Sequence, residues 1–220
     1  MRSLPEVIER CSTDRGEIQL QKRDEQFEII YNGTFLMATY NGDSERLLVK
    51  AALDSVAEPN RVLIGGLGVG FSLAEALVDP RVRQVDVVEI EQVIIEWNDY
   101  HLSGFNSRAI DDPRTNIIHA DLLKYVQETV VKYDVICLDI DNGPDWIVAE
   151  PNNGLYSDRG IEQLMRILSK KGILSFWSAT ESAAFVQKLR TYFAFVEVKK
   201  VTQPKGEPDY VYICSGIGGF

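Results

Sequence analysis

Few residues in this chain suit redox or metal chemistry. Three cysteines, Cys11, Cys137 and Cys214, stand far apart in 220 residues. An odd, scattered set offers no disulfide framework. Cys137 and Cys214 fall in apolar runs, which reads as small buried side chains. A reducing, cytoplasmic setting is expected for all three. Only two histidines are present, His101 and His119, and no Cys/His spacing resembles a zinc site, so no metal is expected. The chain has no Gly-x-Ser-x-Gly elbow to go with those histidines, which argues against a Ser-His-Asp hydrolase. No apolar run approaches the roughly 20 residues of a membrane span, and residues 1–17 lack the apolar core of a secretory leader. Basic residues are also short: 23 Lys and Arg against 33 Asp and Glu give a formal charge of −10. That balance repels nucleic acid and anionic membranes, so neither is expected as a partner. It permits a cationic substrate without requiring one.

What is present is an ordinary globular composition, 45% hydrophobic and 25% charged, with length enough for one real core. The first part reads as β. Residues 17–22 and 26–31 are β-rich, joined at Arg23-Asp24-Glu25, and residues 34–40 follow after Asn32-Gly33. Asn-Gly between β-rich runs is a strong hairpin signal, because both central positions of a type I′ turn need positive φ. A second pair, Asn41-Gly42, ends the meander. Residues 16–42 are thus expected to form a small antiparallel unit, too small to be stable alone, that packs on the rest or on a partner subunit.

From Ser44 onward the rhythm alternates. A helix starting at Ser44 and Glu45 is expected to place Leu47, Leu48, Ala51 and Ala52 on one side. Strands are expected at 61–65, 84–90, 116–119, 133–139 and 172–177, with helices between them, and two last strands at 195–201 and 210–214 with no helix between. Continuous apolar strands alternating with helices imply a parallel sheet covered on both faces. The final pair should be antiparallel. The fold class is therefore α/β: a doubly wound, seven-stranded, mostly parallel Rossmann-like sheet with a small N-terminal antiparallel unit, divided at 1–43 and 44–220.

In such sheets ligands bind beyond the carboxyl ends of the strands. After the first parallel strand comes Gly65-Gly66-Leu67-Gly68-Val69-Gly70, a run that lets a ligand approach the main chain but also fits an ordinary tight turn. Glu89 ends the second strand, about 20 residues on, where an acid can accept from ribose hydroxyls. Asp121 follows the third strand and can accept from an exocyclic amine, cap the helix starting at Leu122, or both. Asp139 ends the fourth, with Asp141 two residues on. Four successive strand ends with these groups point to an adenosine-containing ligand. The tight Gly-x-Gly-x-x-Gly of a dinucleotide site is absent, since Phe71 stands at its third glycine.

The same stations describe S-adenosylmethionine-dependent transferases of methyltransferase-type fold. More narrowly, RVLIGGLGVGFSLAEAL at 61–77, VDVVEIEQVIIEW at 85–97, DPRTNIIHADLLKYV at 112–126 and YDVICLDIDNGP at 133–144 resemble the polyamine aminopropyltransferase family, the spermidine and spermine synthases, as does the preceding β-hairpin unit. The resemblance implies a transferase of polyamine biosynthesis. It would move an aminopropyl group from decarboxylated S-adenosylmethionine to a small amine and work as a homodimer or larger homo-oligomer. It implies that Gly66, Gly68 and Gly70 line the methionine-derived tail, with Gly65 and Leu67 in the same loop. Glu89 with Ile90 would hold the ribose, and Asp121 with Leu122 would frame the adenine. Asp139 would face the sulfonium and the amine.

The departures are specific. The family has an acid where this chain has Gly68. Its second loop acid falls on Asn142, so Asp141 would have to stand in as the second catalytic carboxylate. Its Tyr-His pair falls on Leu47-Leu48-Val49, and its Gln after the fifth strand is replaced by Trp177-Ser178. Methyl transfer from S-adenosylmethionine itself therefore stays open, as does a non-catalytic nucleoside-binding relative. Trp97 reads as core, whereas Trp146, Trp177 and Tyr156 could each line a substrate pocket.

Overall fold

A computed structural model describes residues 4–140, 143–144, 153–203 and 206–218. Two sheets organise them. The first is antiparallel, with β1 (Glu6–Thr13), β2 (Gly16–Arg23), β3 (Gln26–Tyr31) and β4 (Thr34–Ala38) in chain order. The expected Asn-Gly hairpin is present: Tyr31 pairs with Thr34, and Asn32 and Gly33 have φ of 47° and 77°. The unit begins earlier than expected. β1 had no clear apolar alternation because it is an edge strand of mostly exposed residues.

The second sheet comprises β5 (Arg61–Gly65), β6 (Gln84–Glu89), β7 (Thr115–His119), β8 (Tyr133–Leu138), β9 (Leu168–Ser178), β10 (Phe193–Val201) and β11 (Asp209–Ile217). Their order is β10-β11-β9-β8-β5-β6-β7. β5, β6, β7, β8 and β9 are parallel to one another. β11 is antiparallel to both β9 and β10, as its lack of a crossover helix requires.

Helices cover both faces: α1 (Asp43–Asp54), α2 (Phe71–Val78), α3 (Gln92–Asp99), α4 (Leu122–Glu128), α5 (Asn153–Tyr156), α6 (Asp158–Ile167) and α7 (Ala183–Tyr192). None is long and apolar enough to cross a membrane among the described residues. Strand alternation divides the core. Val62, Ile64, Val135 and Cys137 pack in one cluster, and Leu63, Ile136, Leu138 and Phe176 in the other. On α1 the buried set is rotated from expectation: Val49 is fully buried, while Leu47 is only partly so. The helix lies between α2 and strands β9 and β11, so more than one of its sides is covered.

Ile18, Leu20 and Ile29 of the first sheet belong to the same cluster as Val62 and Ile64. The small sheet thus packs on its own chain, which supplies the apolar surface it could not bury alone. Leu20 is fully buried. Leu20→Ala is expected to cost about 2–5 kcal/mol and to shift a single denaturant transition. Two separate transitions would show that the sheets fold independently.

Candidate active site

The loop after β5 is shaped by close approaches. Gly66 has φ +90°, and a Cβ there would lie 2.1 Å from the Asp139 carbonyl oxygen, so only glycine lets the loop pass the end of β8. Gly68 carries φ +51°. Asn98 Nδ2 donates to the Gly68 carbonyl at 2.8 Å, and Asn106 Nδ2 donates to the Val69 carbonyl at 2.9 Å. Glu89, at the end of β6, holds the other side. Its carboxylate accepts from the Leu67 amide at 2.8 Å and the Glu91 amide at 2.8 Å. Burial raises the Glu89 pKa, against the lowering effect of those amides. Each carboxylate oxygen keeps a further lone pair for a ligand hydroxyl.

These strand ends open on a cavity of 1690 Å³. Gly66, Gly68, Glu89 and Ile90 line it on one stretch, and Asp121, Leu122 and Asp139 on another. Asp121 also caps α4, accepting from the Lys124 amide at 3.0 Å. Gly65, Leu67 and Gly70 are not among the lining residues. Gly65 makes room for Leu122, whose Cδ2 would lie 2.4 Å from a Cβ there, and Gly70 packs on Asn98 and Asn106. Leu67 contributes its amide to Glu89. Asp141, Asn142 and Trp146 lie outside the described residues. Trp177 lines the cavity, and its indole N–H is buried without a partner among the described residues. Tyr156 instead sits in a ring cluster with Phe176 and Phe185. Trp97 is core, donating its indole N–H to Glu9 at 2.9 Å.

The first sheet forms the far wall. Arg15, at the β1–β2 turn, binds Glu91 at 2.7 Å and donates to the Ile90 carbonyl at 2.9 Å. The hairpin therefore meets the β6 end within the same chain.

Two carboxyls that sequence reasoning passed over complete the site. Glu45 on α1 and Asp209 at the start of β11 both line the cavity beside Asp139. Ser44 Oγ lies 2.8 Å from Glu45 Oε2 and 2.7 Å from Asp209 Oδ2. A hydroxyl has one proton to give, so Ser44 donates to one of the two carboxyls at a time. The Gln203 amide also donates to Asp209. Ser72, at the start of α2, donates to the Glu45 carbonyl at 3.3 Å, and its hydroxyl works against the rise at Asp139. Burial, then the Asp139 charge, pushes Glu45 up to about 8. Burial, then the Asp209 charge, pushes Asp139 up to about 7. The one sequence signal was a glutamate on the buried side of α1, 5% exposed.

The folded chain thus holds protons that the unfolded chain releases. Stability from these groups is full below about pH 4 and is lost as pH rises toward about 8. Asp79, Asp86 and Asp112, whose pKa values are lowered in the fold, act below that window. Urea midpoints are expected to fall from pH 5 to pH 8.5, and Glu45→Gln is expected to flatten the fall. A midpoint that rises with pH would contradict the buried acid cluster.

Comparison with known proteins matches residues 43–215 to the spermine/spermidine synthase domain. A polyamine aminopropyltransferase of Sulfolobus acidocaldarius is 37% identical over 175 residues, covering 79% of this chain and 56% of that protein. One of Saccharolobus solfataricus is 32% identical over 177 residues, with the same coverage. The chain spans about half the length of these curated relatives. Among solved structures, a spermidine synthase in complex with the transition-state analogue AdoDATO superposes with a TM-score of 0.81 at 22% identity, covering 97% of this chain and 75% of that one. Spermidine synthase from Thermotoga maritima gives 0.77 at 21% identity, covering 97% and 74%. With the domain matched over most of its length, the chain belongs to the spermine/spermidine synthase family.

Proposed function

We propose that this chain transfers an aminopropyl group from decarboxylated S-adenosylmethionine to a small amine. The observation that carries the reading is the meeting of Asp139, Glu45 and Asp209 in one cavity with the glycine loop and Glu89. Glu45 is buried and Asp139 and Asp209 are half-buried; ionised together they repel one another, and cationic nitrogen relieves that repulsion. The related proteins are named polyamine aminopropyltransferases, and a structure of the same fold was solved with a transition-state analogue. Glu45 and Asp209, from other elements, would stand in for the acids missing at positions 68 and 142.

The reaction is an in-line displacement. A neutral amine attacks the carbon next to the sulfonium; the C–N bond forms as the C–S bond breaks. The electron pair goes to sulfur, which leaves as the neutral thioether 5′-methylthioadenosine. The attacking nitrogen's extra proton passes to a carboxylate. Asp139, with its pKa raised to about 7, is suited to take it near neutral pH. Glu89 with Ile90 would hold the ribose, and Asp121 with Leu122 the adenine. Holding amine and carbon in contact supplies most of the acceleration. The first sheet, residues 1–43, would act as the cover of the domain formed by residues 44–220.

Mass spectrometry of an amine panel incubated with decarboxylated S-adenosylmethionine should show a product heavier by one aminopropyl group, together with 5′-methylthioadenosine. A methylated product formed only from the carboxylated donor would overturn the reading. Asp139→Asn is expected to cut kcat by at least about 100-fold, while affinity for 5′-methylthioadenosine changes little in calorimetric titration. Glu45→Gln is expected to raise KM for the amine more than it lowers kcat.

A further inference from the structure

One side chain of the first sheet enters the glycine loop. Met37, on β4, places its Sδ 3.2 Å from the Val69 amide nitrogen, which donates to it. The same sulfur fills the space beside Gly68. A Cβ built on Gly68 would stand 2.2 Å from Met37 Sδ and 3.1 Å from Cε. Met37 and Gly68 both line the cavity. Because β5 lies between β8 and β6, the loop stands between Asp139 and Glu89. A nucleoside whose ribose meets Glu89 and whose reacting carbon meets Asp139 must lay its tail across this loop.

We propose that Met37 is a specificity-determining residue for that tail: its thioether fills the space beside Gly68, takes the Val69 N–H, and so excludes a tail that bears a carboxylate. This rests on the aminopropyl-transfer reading. A carboxylate branching from the tail would need both space and donors. At this point it meets a thioether, which donates nothing, and an amide already engaged by that thioether. An anion pressed there would shed water without replacement. A tail ending in a methylene and an ammonium lacks the branch and keeps its cation free to face Glu45 and Asp139. Glu45 is suited to it: its Oε2 is bonded to Ser44, and Oε1 takes no hydrogen bond from another described residue.

The test titrates S-adenosylmethionine, its decarboxylated form and 5′-methylthioadenosine into wild type, Met37→Ala and Met37→Leu by calorimetry. Wild type is expected to prefer the decarboxylated form. Met37→Ala frees both space and amide, and should shift the affinity ratio toward S-adenosylmethionine by about tenfold or more. It should leave 5′-methylthioadenosine, which lacks the tail, nearly unchanged. Met37→Leu keeps the space filled and should shift the ratio less. An unchanged ratio in Met37→Ala, or equal weakening of all three ligands, overturns the proposal. A second measurement needs no ligand. Gly68→Ala should cost less stability in the Met37→Ala background than in wild type, and additive costs overturn the fit between the two residues. Wild type that binds none of the three nucleosides overturns the proposed function and the selection with it. A non-additive cycle would then still hold residues 37 and 68 as a pair.

Discussion

At Gly66 the main chain leaves β5 so close to the Asp139 carbonyl that no side chain could stand between them. Much of the site follows from that approach. It brings the loop against the end of β8, and Glu89 holds the opposite flank through the Leu67 amide. Asn98 and Asn106, themselves joined at 2.7 Å, fix the loop carbonyls from α3 and the turn beyond it. The loop is therefore held from three sides, by the end of β8, by Glu89 and by the two asparagines. Among the apolar side chains that line the cavity, Glu89 and Asp139 stand out as the groups at these strand ends suited to hydroxyls and cationic nitrogen.

The electrostatics depend on the same packing. Asp139, Glu45 and Asp209 come from the end of β8, from α1 and from β11, and their convergence places like charges in one cavity. Opposing Arg partners are used elsewhere: Arg61 binds Asp86 at the far end of the sheet, and Arg15 binds Glu91. Among the described residues the acid cluster meets hydroxyls and the Gln203 amide but no Arg or Lys. That is a strained ground state, and it favours a ligand that brings positive charge.

Much of this was legible in the sequence. The alternation of apolar strands and helices gave the seven-stranded sheet, and the Asn32-Gly33 turn gave the β3–β4 hairpin. The strand-end residues Glu89, Asp121 and Asp139 were visible because their positions follow from local order along the chain. β1 was not visible, since an edge strand with few buried residues carries little periodicity. Glu45 and Asp209 were not visible as a pair for a different reason. They are 164 positions apart, and only the return of β11 between β9 and β10 joins them through Ser44. Met37 was missed likewise, because no local pattern says that a methionine on a meander will meet a glycine loop.

That return of β11 has a consequence for the order of assembly. Among the described residues β10 pairs with the sheet only through β11, which follows it in the chain. During synthesis β10 must wait unpaired until the last strand emerges. The first sheet, the glycine loop and Asp139 can all be in place while Asp209 is still to be made. The Ser44–Asp209 bond closes a separation of 165 residues, among the longest in the fold, and contacts of such range form late. Nucleoside recognition thus belongs to the early part of the chain, whereas the acid cluster is complete only when its last strand has been threaded between two others.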